Sequence, residues 1–352
     1  MSVNKKKKKQ IIIFLSVFAA LAVVTLALGW QEFRLRYAPN IEFSDRRQRL
    51  VCIDGNDTFD DVIAKIENEN VMKNVASFRT LAEKNSYPQH IRTGCYELKN
   101  GMSNTQLLRA LLRGYQTPVR ITFNNIRTKE MLAGRLAAQL MVDSLEIITA
   151  LNDSATMASF GLTRETALSL FLPDTYELYW NTSVENLLSY MNRQHRRFWT
   201  DERLQKAGNI GLTPVEVSIL ASIVEEETNY APEKPTVAGV YINRLHRGMP
   251  LEADPTVKFA WQDFGLRRVL DRHKAIDSPF NTYQNAGLPP GVIRMPTAKG
   301  IDAVLNYERH HYIFMCAKED FSGAHNFAVT LAEHNRNAAR YHAALNKLQI
   351  YR

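Results

Sequence analysis

The hydrophobic pattern divides the chain into stretches of different character. Residues 11–30 form an unbroken apolar run without a charge, long enough to cross a hydrocarbon core of about 30 Å as a helix. Residues 50–117 then alternate short β-like and helical runs: strands at 50–53 and 91–98, helices at 58–66, 75–84 and 104–112. Gly101 and Ser103 supply the turn and cap before the last of these helices, and Gly114 ends it. From a strand at 119–123 onward helical periodicity dominates, at 129–140, 144–151, 184–198, 213–228 and 237–245. Beyond Met249 the pattern gives way to loops rich in polar and turn residues. The expectation is an α+β chain with a cytoplasmic tail (1–10), a transmembrane helix (11–30), a connector (31–49), a small βααβ unit (50–117) and a larger mixed α/β domain (118–352).

One helix carries candidate chemistry. Thr213-Pro214-Val215-Glu216 reads as a capping box with Pro at the first helical position, so the helix should start there and run past Glu227 toward Pro232. At about 100° per residue, Ile219, Leu220, Ile223 and Val224 define an apolar stripe, and Glu227 falls within it. Glu226 lies at the edge of the stripe. Glu225 points to the other side with Ser218, Ala221 and Ser222, where another element could pack closely. A carboxyl on an apolar face is desolvated, keeps its proton to higher pH and becomes a candidate acid catalyst. The competing reading is a solvated acidic helix end.

Charge adds the orientation. Lysines at 5–9 supply five of the formal +8, and the remainder is too nearly balanced for a nucleic-acid footprint. Those lysines should stay on the cytoplasmic side. The apolar run exceeds the ~7–15 residues of a cleaved signal peptide, which favours an uncleaved anchor with the rest of the chain outside the cytoplasm. Cys52, Cys95 and Cys316 have no metal-ligand spacing. Cys52 and Cys95 fall in the two strands of the small unit, where a contact, a disulfide or two buried thiols all fit. The loops at 251–256, 278–283, 287–291, 323–327 and 333–335 offer Asn, Thr, Tyr and His, side chains suited to a polyhydroxylated ligand, although local turn chemistry accounts for each loop taken alone.

Several motifs in order carry a resemblance. Ala221-Ser222-Ile223-Val224-Glu225-Glu226-Glu227-Thr228 is followed by Val240-Tyr241-Ile242-Asn243-Arg244-Leu245 and Asp254-Pro255-Thr256-Val257. Leu172-Pro173-Asp174-Thr175-Tyr176, Asn281-Thr282-Tyr283, the 287–291 loop, His325/Phe327 and His334-Asn335 complete the set. Together they resemble the endolytic murein transglycosylases of the MltG (YceG-like) family over nearly the whole chain. The resemblance implies a LysM-like subdomain around Gly94-Cys95-Tyr96 that grips N-acetylated sugars, and a catalytic domain of YceG-like type. It implies an enzyme of the cytoplasmic membrane that cuts MurNAc–GlcNAc bonds within nascent peptidoglycan strands, leaves 1,6-anhydroMurNAc ends, and works beside membrane-bound wall synthases. The family's catalytic glutamate maps onto Glu227. Because the substrate's own C6 hydroxyl serves as nucleophile, one acid suffices and no metal or cofactor is called for.

In this reading Asp254, Thr256, Asn281, Tyr283 and His325 bind the sugars, and Glu225, Asn243 and Arg244 support the site. Two positions depart from the family pattern: Glu252 stands where Gln is usual, and Phe259 where Tyr is common. The alternatives are an inactive, membrane-anchored wall-binding scaffold and a hydrolase using Glu227 and Asp254 as a carboxylate pair.

Overall fold

The computed structural model describes residues 2–347 apart from Arg267. Contacts divide the chain into two compact units, residues 1–119 with 177–181 and residues 120–176 with 182–352.

The first unit begins with helix α1 (Ser2–Tyr37), which is long and apolar enough to cross a membrane and exposes its large apolar side chains. It continues past Trp30 into the stretch expected as connector. A Glu32–Arg36 ion pair one turn apart (2.9 Å) and the ring series Trp30, Phe33, Tyr37 (5.8 and 5.5 Å between centroids) extend it. Strand β1 (Arg49–Ile53), helices α2 (Phe59–Asn68) and α3 (Val75–Lys84), strand β2 (Gly94–Leu98) and helix α4 (Asn104–Arg113) follow. Side chains of Thr58, Asn74 and Ser103 cap the three helices, and Gly114 ends α4 at φ 68°. β1 and β2 pair antiparallel with Cys52 opposite Cys95, and the two are joined as a disulfide. Val51, Ile53, Tyr96 and Leu98 face Ile66, Phe78, Leu81 and Leu107 in the core. Two buried asparagines tie α1 to this unit: Asn104 donates to the Leu35 carbonyl (2.9 Å), and Asn40 donates to the Asn104 side chain (2.7 Å).

Strand β3 (Val119–Phe123) pairs with β4 (Asp174–Leu178), and α5 (Lys129–Ala137), α6 (Ser144–Asn152) and α7 (Ser154–Ser159) lie between them in sequence. Helices α8 (Val184–Phe198), α9 (Asp201–Ile210), α10 (Pro214–Glu227), α11 (Lys234–His246), α12 (Asp254–Trp261), α13 (Asp271–Lys274) and α14 (Ala298–Leu305) follow. The antiparallel hairpin β5 (Phe314–Ala317) and β6 (His325–Ala328) and helix α15 (Leu331–Lys347) complete the second unit. α10 is its centre, packed by α9, α11, α12 and α14.

α10 is packed on the face of Ser218, Ala221 and Ser222 as well as on its apolar face, and Val217 to Glu225 are all buried. The region after Met249 is largely loop, as expected, and it also holds short helices, a hairpin and α15. α12, α13 and α14 are too short, at 8, 4 and 8 residues, to display a period. α15 did carry a signal: Thr330 accepts the Glu333 N–H (3.2 Å) and Glu333 accepts the Val329 N–H (3.1 Å), a capping pattern like that at Thr213.

The disulfide closes a loop between residues 43 apart in sequence, so reduction should lower the stability of the first unit by roughly 2–4 kcal/mol. Thermal unfolding of the detergent-solubilised chain with and without reductant measures this, and an unchanged midpoint would contradict it.

Candidate active site

α10 stops at Glu227, short of the expected extension toward Pro232. Thr228 turns extended (φ −136°, ψ 133°), its hydroxyl accepts the Tyr230 N–H, and a 3-10 turn (Ala231–Glu233) leads into α11. The three glutamates therefore occupy the last helical turn, where unpaired carbonyls disfavour negative charge. Each meets this differently.

Glu225 is buried and accepts from the Thr297 hydroxyl (2.6 Å) and Thr297 N–H (3.0 Å) at the start of α14, with Lys234 at 3.4 Å. The positive end of α14 and a lysine thus balance it. The approach requires Gly300, since a Cβ there would stand 2.5 Å from the Glu225 carboxyl carbon. Glu226 is not at an open rim: Arg127 grips both its oxygens (2.8 and 3.0 Å) and Arg294 adds a third contact (3.0 Å). Among the described residues Glu227 forms no ion pair, and the Tyr241 hydroxyl is its hydrogen-bond donor. The residue is partly exposed, but its Oε2 is buried and without a hydrogen-bond partner. Burial pushes the carboxyl up to about 7, and the charge of Asp254 adds to the rise. His325, the Tyr241 hydroxyl and Lys258 act in the opposite direction.

Glu227 opens onto a cavity of about 340 Å³ shared with Tyr241, Arg244, Glu252, Asp254, Tyr283, Phe314 and His334. Asp254 is the first residue of α12, and its Oδ1 accepts the Tyr283 hydroxyl (2.7 Å). Arg244 is nearly buried, donating to the carbonyls of Ile313, Pro250 and Leu251 and pairing with Glu252 (2.8 Å). It fixes the cavity's far wall, where His334 stacks on Phe314 at 5.4 Å. Asn243 donates to the carbonyls of His310 and Tyr312, holding the approach to the β5–β6 hairpin against α11. His325, at the start of β6, gives its Nδ1 to Glu233 (2.6 Å) and acts on Glu227 by its charge.

Thr256 and Asn281 do not reach the cavity. Both are fully buried: Thr256 bonds the Ala253 carbonyl and the Thr282 hydroxyl, and Asn281 donates to the carbonyls of Lys274 and Ile276. Their hydrogen bonds set the loops that carry Asp254 and Tyr283. Of the two departures, Glu252 lines the cavity at φ 51°, whereas Phe259 packs on Phe280 (4.7 Å) outside it. A larger cleft of about 440 Å³ around Leu212 and Leu288 contains Glu216, already engaged in the α10 cap, and offers no acid in apolar surroundings. Among the described residues no cluster of three His, Cys, Asp or Glu side chains could hold a metal ion.

The model of the YceG-like family matches residues 51–340. The chain belongs to this family. An endolytic murein transglycosylase of Bacillus subtilis is 28% identical over 274 residues, covering 73% of this chain and 74% of that one. Proteins of the same name from two Streptococcus pneumoniae strains are 26% identical over 369 positions, covering 95% of this chain but 65% of their own length. A solved YceG-like protein of Listeria monocytogenes, 24% identical, superposes with a TM-score of 0.55 over 83% of this chain and 99% of that one. This last likeness bears on the fold.

Sequence reasoning on this YceG-like chain did not identify Arg127, Arg294, Thr297, Glu233 or Tyr241. Arg127 and Arg294 lie 99 and 68 residues from Glu226, and no local pattern marks them. Glu233 did have a trace, a charged pair between Pro232 and Pro235 just after the acidic run.

Because the folded-state pKa of Glu227 lies above its ordinary 4.5, the folded chain holds the extra proton between 4.5 and about 7, and stability falls as pH rises through that window. Glu227→Gln, a mimic of the protonated form, should therefore stabilise the chain by roughly 3 kcal/mol at pH 8 and by little at pH 4. Unfolding midpoints at the two pH values measure this, and equal effects at both would contradict it.

Proposed function

We propose that this chain is a membrane-anchored endolytic lytic transglycosylase of peptidoglycan, with Glu227 as its single acid and base. The observation that carries the reading is the buried, unpaired Oε2 of Glu227 at the end of a helix whose two neighbouring acids are paired with cations. The names of the Bacillus and Streptococcus relatives support the substrate class.

Protonated Glu227 gives its proton to the oxygen of a MurNAc–GlcNAc bond as the C1–O bond breaks and positive charge develops on the MurNAc ring. The Glu227 carboxylate then takes the proton of the MurNAc C6 hydroxyl as that oxygen bonds to C1. This closes a 1,6-anhydro ring and restores the acid, with no water consumed. Asp254, held by Tyr283, is a negative charge in the same cavity and favours the cationic ring electrostatically. That position also supports a second reading, in which Asp254 activates a water and the product is a reducing end.

α1 would anchor the chain in the cytoplasmic membrane, the lysines of its first turns inside and the rest of both units outside. There the cavity would meet glycan strands as they emerge from membrane-bound wall synthases. The first unit, with its βααβ order, would hold the same strands as a LysM-like module.

Incubating the full-length chain in detergent with purified glycan strands, followed by mass analysis, tests this. Wild type should release anhydro ends, Glu227→Gln should lose at least about a thousandfold in rate, and wild-type cleavage should decline as pH rises past about 7. Reducing ends would favour the Asp254 reading, and no cleavage by wild type would favour a scaffold.

A further inference from the structure

We propose that the part of the cavity bounded by Arg244, Glu252, Phe314 and His334 is a subsite for the acetamido group of an N-acetylated sugar. This deepens the reading of the cavity as a site of glycan cleavage and rests on it.

Glu252 holds φ 51°, a left-handed conformation that a non-glycine residue rarely adopts, with its N–H on the Thr282 carbonyl (3.0 Å). Its side chain is 47% exposed and lines the cavity, so the carboxylate is open to a ligand. Oε2 is paired with Arg244 Nη1 (2.8 Å), which leaves Oε1 as an acceptor. The Arg244 side chain is fixed, because Nε and Nη1 donate to the carbonyls of Ile313, Pro250 and Leu251. These contacts leave its Nη2 as a donor. The guanidinium lies over the Phe314 ring (5.5 Å), His334 stacks on that ring (5.4 Å), and Met315 and an exposed Leu331 extend the apolar surface. Burial holds His334 below the ordinary imidazole value and Arg244 adds to this, so the ring is neutral at pH 7. Its Nδ1 is buried without a partner, and Nε2 is the ring nitrogen left to donate.

The ligand that fits these groups is neutral. A carboxylate or phosphate would meet Glu252 and Asp254, and an ammonium would meet Arg244. A hydroxyl alone would leave the apolar surface bare. A secondary amide that ends in a methyl group uses all three kinds of surface. Its N–H goes to Glu252 Oε1, its carbonyl to Arg244 Nη2 or His334 Nε2, and its methyl to Phe314 and Leu331. Both sugars of the proposed substrate carry this group at C2. A charge-assisted N–H bond and a methyl contact on a fixed wall would hold the strand in register against Glu227, which lines the same cavity.

The test is kcat/KM for the full-length chain in detergent on glycan strands free of stem peptides, in the N-acetyl form and in an N-formyl form that keeps the amide but lacks the methyl. Wild type should prefer the N-acetyl strands by about tenfold or more. Phe314→Ala and the surface variant Leu331→Ala should each shrink that preference. Glu252→Gly deletes the acceptor while suiting the left-handed backbone, so it should remain folded and lose about tenfold on N-acetyl strands. Glu252→Gln, which keeps a carbonyl oxygen, should lose less. Equal rates of wild type on the two forms, or full activity of Glu252→Gly, would overturn the proposal. A preference that appears only on strands carrying stem peptides would also overturn it, and would assign the wall to the amide joining peptide to MurNAc. Equal cleavage by wild type and Glu227→Gln would instead overturn the reading on which it rests.

Discussion

A buried helix that ends in three consecutive carboxylates has to deal with three negative charges at the negative end of its own dipole. The second unit is arranged around that constraint. Glu225 is taken by the N-terminus of α14 and by Lys234, and Glu226 by Arg127 and Arg294. Glu227 receives no such partner, and burial then leaves it a proton at pH values where carboxylic acids are normally ionised. Neutralising its neighbours matters as much as burying Glu227, since two further free carboxylates so close would make the last turn unstable.

The arrangement needs contacts from well-separated parts of the chain. α14 can approach only because residue 300 is a glycine, α11 brings Lys234 and Tyr241, and β6 brings His325. α12 contributes Asp254 to the cavity. A site built this way is costly to the fold, because a buried carboxyl oxygen, Oε2 of Glu227, is left unsatisfied.

Much of this was legible in the sequence where the cause is local. The caps at Thr213 and Ser103 depend on residues within one helical turn, and the apolar run of α1 on consecutive ones. The choice of Glu227 from the helical period, and the close packing on the face of Ser218, Ala221 and Ser222, also rested on local spacing. What was not legible was long-range. Nothing near Glu226 announces Arg127, and nothing in Asn281-Thr282-Tyr283 says that Asn281 turns inward to two carbonyls while Tyr283 reaches Asp254. Polar residues in loops look alike in sequence whether they hold a backbone or meet a ligand, and only their burial separates the two.

The central claim is that Glu227 keeps its proton to a pH near neutral. The most direct measurement is the carboxyl carbon resonance of Glu227 in glutamate-labelled protein, assigned by its loss in Glu227→Gln and followed against pH. A midpoint near 7 is the predicted result, and a midpoint at the ordinary value near 4.5 would contradict the account.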